Sequence, residues 1–179
     1  YVRDLIVYAS MLMFIFLAGF TEAEARSNDR DFYYGISGGQ TRVKNTTTQT
    51  YQAASTFGIK LGLRLYSSDA IWTGSEIRYT QTTSQQQVNT SGSSSISTYK
   101  VETTGLYFVA RSRGKAYIKG KLGAANQVTT IDSSVISDTT RASYGAGIGL
   151  RTGGAMLEVE YTQYGDDVAV VSVGYVFGY

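Results

Sequence analysis

The feature that most constrains this chain is a strict alternation of side-chain size in its C-terminal segment, residues 168–179. One face is bulky and apolar or aromatic, and it consists of Val171, Val173, Tyr175, Phe177 and Tyr179. The other face is mostly small, and it consists of Val170, Ser172, Gly174, Val176 and Gly178. A repeat of two residues predicts a β-strand whose two faces meet different surroundings.

The same alternation recurs in seven earlier segments, so the sequence predicts eight strands in all. The earlier ones lie at about residues 32–43, 57–65, 70–82, 99–111, 115–127, 141–152 and 157–161. The connections after the second, fourth and sixth strands are tight, whereas those after the first, third and fifth are long and polar. This pattern is typical of a transmembrane barrel with turns at one end and loops at the other. The predicted fold is therefore all-β, a single eight-stranded antiparallel up-and-down transmembrane β-barrel.

The composition agrees with this architecture and narrows the possible functions. The 179 residues include no Pro, so every backbone amide is available to a β-ladder. There is no Cys for a disulfide or a thiolate metal site, and no His to act as the commonest general base. A net charge of +2 leaves no electrostatic footprint for nucleic acid. We expect no catalytic residues, no cofactor and no metal.

Most of the charged residues of the strands fall on the small-residue face. A Lys or Arg on the lipid face near the bilayer midplane would cost about 2–4 kcal/mol, so this face is predicted to line the lumen. The lumen of an eight-stranded barrel is only just wide enough for side chains, which favours a network of ion pairs that closes it. The alternative is a small pore that favours anions. The predicted lumen network is Lys60, Glu76, Arg78, Lys119, Lys121, Glu158 and Glu160, with Arg64 and Arg151.

The N-terminal segment has the pattern of a secretory signal peptide, residues 1–25. An uncharged apolar block at 5–20 follows Arg3 and leads to an Ala-Glu-Ala sequence, which predicts cleavage after Ala25. The block is short against the roughly 20 residues that a spanning helix needs. The barrel is then predicted to occupy residues 26–179.

The last eight residues resemble the terminal signal of bacterial outer-membrane barrels, because Ser172, Gly174, Phe177 and Tyr179 occupy its polar, glycine and aromatic positions. A final Phe is commoner there than Tyr. With the strand pattern and the predicted signal peptide, residues 26–179 resemble the eight-stranded barrels of the OmpA-like and opacity-protein superfamily of surface antigens and porins.

The resemblance implies a bacterial outer-membrane location with periplasmic turns and termini, and insertion by the barrel-assembly machinery. It also implies a structural, surface-antigen or adhesion role, without a motif that selects among these. Extracellular partners would bind the three loops predicted at 44–52, 83–98 and 128–140, which we expect to be polar and solvated.

Two further alternatives follow from the residues themselves. A secreted, soluble, lipocalin-like barrel would place the bulky face inside around a ligand. A calcium site could use the loop aspartates Asp132, Asp138, Asp166 and Asp167, although isolated loop aspartates are usually only solvated. The strand-spaced pair Glu158 and Glu160 could in form perform acid–base chemistry, but neighbouring cations favour ion pairing.

Overall fold

The computed structural model of the protein describes residues 32–45, 47, 49–83, 86–90 and 96–178. The predicted signal peptide and Tyr179 lie outside the described residues. No helix within the described ranges is long and apolar enough to cross a membrane. The described residues form ten strands: β1 (Phe32–Val43), β2 (Gln49–Tyr51), β3 (Ala54–Ser67), β4 (Ile71–Thr82), β5 (Gln86–Thr90), β6 (Ile96–Ser112), β7 (Ala116–Ile131), β8 (Ser134–Thr152), β9 (Ala155–Tyr164) and β10 (Val168–Phe177).

Eight of these strands form a closed antiparallel barrel in chain order. Strand β1 pairs with β3, and the order continues through β4, β6, β7, β8 and β9 to β10. The barrel closes because β10 returns to β1, with Tyr34 opposite Phe177 and Val43 opposite Val168. The predicted eight-stranded up-and-down barrel is confirmed.

The two faces of the strands are divided as the alternation predicted. In β3, Phe57, Ile59 and Leu61 are 45%, 44% and 48% exposed, whereas Lys60 between them is 5% exposed. Apolar side chains therefore point outward and charged side chains point inward. A lipocalin-like barrel requires the opposite arrangement, so that alternative is wrong.

The two ends of the barrel differ in their connections. The turn end comprises three tight turns at 68–70, 113–115 and 153–154, together with the start of β1 and the end of β10. The opposite end, here called the loop end, carries the connections from β1 to β3 and from β4 to β6, which contain β2 and β5, together with the two-residue turn at 132–133 between β7 and β8. The connection after β9, residues 165–167, is also at the loop end but is a short turn with Gly165 at φ +55°.

Much of the sequence predicted to be solvated loop at the loop end is β-structure. Strand β2 lies within 44–52, β5 lies within 83–98, and β2 pairs with β5, which pairs with β6. The segment 128–140 is a hairpin whose strands meet at Asp132 and Ser133, both in the left-handed region at φ 45° and 70°. A two-residue turn with positive φ at both positions matches the twist of a hairpin.

The prediction of an irregular loop at 128–140 is therefore wrong, and those for 44–52 and 83–98 are wrong where β2 and β5 lie. These segments are rich in Ser and Thr on both faces, so the size alternation that reveals the other strands is absent. Thr nevertheless favours extended backbone, and an existing ladder extends wherever the neighbouring strand supplies partners.

The outward face gives a first prediction. Leu61 lies near the middle of β3 on the outward face, and Leu61→Arg should lower the free energy of unfolding in lipid by about 2–4 kcal/mol, the cost of a cation at the bilayer midplane. The matched control is Tyr66→Arg, which is outward on the same strand near the turn end and should cost about 0–1 kcal/mol. Equal costs in reversible denaturant titrations would contradict the inside–outside assignment.

Candidate functional site: the charged barrel interior

The interior of the barrel contains a cluster of eight buried charged side chains, here called the lumen ion cluster. Each is at most 5% exposed. They come from five strands, β3, β4, β6, β7 and β9. Every second residue of a strand faces inward, so inward residues at similar heights on these strands meet in the lumen. Its members are Lys60, Glu76, Arg78, Arg111, Lys119, Lys121, Glu158 and Glu160.

Lys119 is the centre of this cluster because it contacts all three carboxylates. Its Nζ lies 2.8 Å from Glu76 Oε2, 2.7 Å from Glu160 Oε2 and 3.3 Å from Glu158 Oε1. Glu76 is on β4, whereas Glu158 and Glu160 are on β9, which stands on the opposite side of the barrel. One ammonium group, with three donors, therefore joins opposite walls across the lumen.

Glu158 is bonded by groups from three other strands. Its Oε1 pairs with Lys60, and its Oε2 accepts hydrogen bonds from Arg111 at 3.0 Å and from the Tyr117 hydroxyl at 3.0 Å. All of these side chains are buried except for a few per cent of Lys60. A carboxylate removed from water in this way is stable only because its acceptor sites are occupied by charged and polar donors.

Glu160 has a matching set of partners one inward position further along β9. It pairs with Arg78, and Lys121 Nζ lies 2.6 Å from its Oε1. The Thr162 hydroxyl donates to the same carboxylate at 3.0 Å. The second guanidinium nitrogen of Arg78 donates to Ser172 Oγ at 2.8 Å, which connects the cluster to β10.

Aromatic rings surround the cationic side of the cluster. The guanidinium carbon of Arg111 lies 4.5 Å from the ring centre of Tyr117, 4.8 Å from Trp72 and 5.6 Å from Tyr33. Lys121 Nζ lies 4.3 Å from the ring centre of Tyr107. The cluster has five cations and three anions, and the electron-rich ring faces add to the stabilisation of this cationic excess.

Inward glycines make room for these large side chains. A Cβ added to Gly62 would lie 2.0 Å from the Tyr33 ring, and one added to Gly149 would lie 2.2 Å from the Tyr117 ring. The tyrosine on each neighbouring strand therefore lies over a glycine and reaches the carboxylates: Tyr33 donates to Glu76 at 3.0 Å, and Tyr117 donates to Glu158 at 3.0 Å.

Towards the loop end the interior changes from charged side chains to a mixture of hydroxyl-bearing and apolar side chains. The hydroxyls of Thr41 and Thr56 are hydrogen-bonded, as are those of Thr80 and Thr103. Above them Val101 is buried, and the rings of Tyr51 and Tyr99 meet edge to face with centres 5.2 Å apart. The buried Thr129 lies opposite Val101, and the Thr82 hydroxyl accepts the Val101 N–H, so polar and apolar side chains share this layer.

The structure brings together seven of the nine residues predicted for the lumen. Arg64 and Arg151 are inward but lie nearer the turn end and are only half-buried, with Arg64 over the Trp72 ring at 5.8 Å. The sequence analysis missed Arg111, because it stands beside a turn where charge is common. Its signal was its phase, since it shares the inward face with Tyr107 and Val109.

The described part of the C-terminal segment has the predicted alternation. Ser172 is buried against Arg78, whereas the Phe177 ring stacks on Tyr34 with centres 5.4 Å apart. Gly174 leaves space for β1, because a Cβ there would lie 2.2 Å from the Ile36 carbonyl oxygen. These contacts describe a seam between the first and last strands.

The loop aspartates are engaged in separate contacts. Asp132 accepts the Thr98 backbone N–H at 2.8 Å, which holds the pKa of Asp132 below its ordinary value. Asp138 accepts from Asn126 at 2.8 Å, and Asp167 pairs with Arg141. Among the residues that the structure describes, no group of three or more acidic side chains could hold a metal ion.

Solved structures with the same fold come from bacterial outer membranes. They include Ail, the attachment invasion locus protein of Yersinia pestis, in complex with the heparin analogue sucrose octasulfate (17% identity, 83% of this chain and 99% of that chain, TM-score 0.56). OprG from Pseudomonas aeruginosa is similar at 13% identity, 84% and 98% coverage and TM-score 0.55. The N-terminal β-barrel domain of Pseudomonas aeruginosa OprF is similar at 14% identity, 83% and 97% coverage and TM-score 0.51.

At these identities the similarity establishes the fold, an eight-stranded β-barrel, and leaves the location and the function to be argued from this chain. No protein-family model and no curated protein sequence matches the chain.

The central position of Lys119 in the lumen ion cluster gives a second prediction. Lys119→Met removes the shared cation from three buried carboxylates and should lower the free energy of unfolding by about 3–5 kcal/mol. The control is Lys100→Met, which removes an exposed pair with Glu102 at 3.2 Å and should cost about 0–1 kcal/mol. Adding Glu76→Gln to Lys119→Met should recover part of the loss. Denaturant titration in detergent measures the free energy of unfolding of all three variants. Equal losses for Lys119→Met and Lys100→Met would contradict the central role of Lys119.

Proposed function

We propose that this chain is a bacterial outer-membrane protein with a closed lumen that acts at its loop end, as a surface for interaction or adhesion. The observation that carries the proposal is the lumen ion cluster. Its pairs run from β3, β4, β6 and β7 to β9, so they cross the lumen and do not merely line its wall. An eight-stranded barrel has little interior space beyond its side chains, so cross-lumen pairs leave no wide path.

The proposed location follows from the apolar outward face, which water would not tolerate over a whole barrel. The turn end is proposed to be periplasmic and the loop end extracellular, the arrangement of short turns and longer loops in such barrels. Ser172, Gly174, Phe177 and Tyr179 are proposed as the signal that the barrel-assembly machinery reads during insertion. The signal peptide at 1–25 would direct export before that step.

The loop end offers an unpaired strand edge to a partner. Strand β9 stops pairing with β8 at Ser143, opposite Tyr164, so among the described strands residues 134–141 of β8 pair only with β7. Val135 and Ile136 on this segment are 64% and 53% exposed. An edge with free backbone groups and apolar side chains favours an extended protein segment that adds as a further strand.

A polyanionic ligand of the kind bound to Ail is the second candidate for the loop end. The exposed cations described there include Arg42 and Lys44, but Lys100 pairs with Glu102 and Arg141 pairs with Asp167. Because two of these charges already have carboxylate partners, we favour the protein segment. A binding comparison between sulfated glycans and extended peptides separates the two.

A closed lumen predicts that the purified full chain produces no large, stable conductance in planar bilayers. Lys119→Met should raise the frequency of brief openings, because it removes the contact between opposite walls. Lys100→Met, outside the cluster, should leave the recording unchanged. Large and long-lived conductance from the unmodified chain would overturn the closed lumen and favour the small anion-selective pore.

The orientation can be tested with single cysteines, because the chain has none of its own. Ser133→Cys at the β7–β8 turn should react with a membrane-impermeant maleimide on intact cells. Gly154→Cys at the turn end, where an added Cβ meets no atom within 4 Å, should react only after the outer membrane is permeabilised. Labelling of Gly154→Cys on intact cells would reverse the proposed orientation.

A further inference from the structure

An apolar groove lies on the outward face of the barrel near the turn end, separate from the lumen ion cluster. Its volume is about 560 Å³, within the range of small-molecule sites. Six outward side chains of β7, β8 and β9 line it: Ala116, Ile118, Ile148, Leu150, Leu157 and Val159. We call this the β7–β9 groove.

The register of the three strands explains why a groove forms there. Ala116 lies opposite Leu150, which lies opposite Leu157, and these form one outward row. Ile118, Ile148 and Val159 form the next row. Between the rows the inward position Gly149 presents only backbone to the outward face, and the small Ala116 opens the end of the groove that faces the turn.

The turn beside the groove is the basic one. Ser112 lines the groove and is followed by Arg113, and Lys115 directly precedes Ala116. Arg113 and Lys115 are both exposed. The turn at 68–70 instead contains Asp69, and the turn at 153–154 contains only glycine.

The basic turn is held against its neighbours by backbone hydrogen bonds. The Arg113 N–H donates to the Ala70 carbonyl at 2.9 Å, and the Arg151 N–H donates to the Lys115 carbonyl at 2.8 Å. The Ile118 N–H donates to Ser112 Oγ at 2.9 Å. The backbone that carries the two cations is therefore held in place at the mouth of the groove. A bound ligand then needs to immobilise only their side chains, which reduces the entropy lost on binding.

We propose that the β7–β9 groove and the turn 112–115 bind one anionic phospholipid. Its acyl chain lies between the two apolar rows, and its phosphate lies against Arg113 and Lys115. Charge complementarity selects this occupant, because an apolar groove alone would accept any lipid chain, whereas two cations at its mouth favour a headgroup with net negative charge. The inference rests on the proposed membrane location.

Native mass spectrometry of the folded full chain, titrated with phosphatidylglycerol or phosphatidylcholine, tests the proposal. The unmodified chain should bind phosphatidylglycerol more tightly, as a single adduct. Arg113→Gln with Lys115→Gln should remove that preference, with a loss of about fivefold for each cation. Ala116→Phe, which fills the mouth of the groove, should weaken binding of both lipids.

Two matched controls keep the result specific. Lys100→Gln removes an exposed cation far from the turn, and Ala146→Phe adds the same ring to the outward face of β8 outside the groove. Neither should change the adduct. Heat-modifiable gel migration verifies that each variant is folded.

The possible outcomes separate the two proposals. An unchanged preference for phosphatidylglycerol in the Arg113→Gln, Lys115→Gln variant would overturn the lipid site. A dimer that disappears with Ala116→Phe would also overturn it and assign the groove to a second copy of the chain. Failure of the unmodified chain to float with lipid vesicles would instead contradict the membrane location, whatever lipid binds in detergent.

Discussion

The structure depends on the neutralisation of charge within a narrow space. Lipid excludes ionised side chains from the outward face, so the strand charges are confined to a lumen that side chains alone can fill. In the lumen these buried charges are stable only when they form ion pairs. The pairs must cross the barrel because the opposite charges stand on different strands. The Lys119 ammonium, in contact with Glu76, Glu158 and Glu160, is where this requirement is met most completely.

The same confinement accounts for the uneven use of residue types. Glycine is frequent on the inward face because Tyr33 and Tyr117 need open backbone beside them, and these tyrosines then supply hydroxyl donors to the carboxylates. Their rings also face Arg111. Tyr33 and Tyr117 thus each fill volume, complete a hydrogen bond to a carboxylate and face the Arg111 cation, which helps five cations coexist with three anions in the cluster.

The barrel and most of its lumen charges could be predicted because one rule, alternation of period two, determines which face each residue takes. The prediction failed where the side chains on the two faces of a strand do not differ in size and polarity. At 128–140 Ser and Thr stand on both faces, so the pattern predicted a loop where the structure has a regular hairpin. Arg111 was missed because proximity to a turn outweighed its phase. The pairing of particular charges could not be predicted at all, since it depends on which strands stand opposite one another and on how far each side chain reaches.

The seam between β1 and β10 has a consequence for biogenesis. The first strand cannot complete its hydrogen bonds until the last one has been made, and β9, just before it, delivers two of the three anions of the interior. A partly inserted sheet of the earlier strands would hold Lys60, Arg78, Arg111, Lys119 and Lys121 against a single glutamate. Insertion of the strands one at a time would therefore expose unpaired cations to the hydrocarbon core, which is unfavourable. We expect most of the barrel to form before it enters the bilayer.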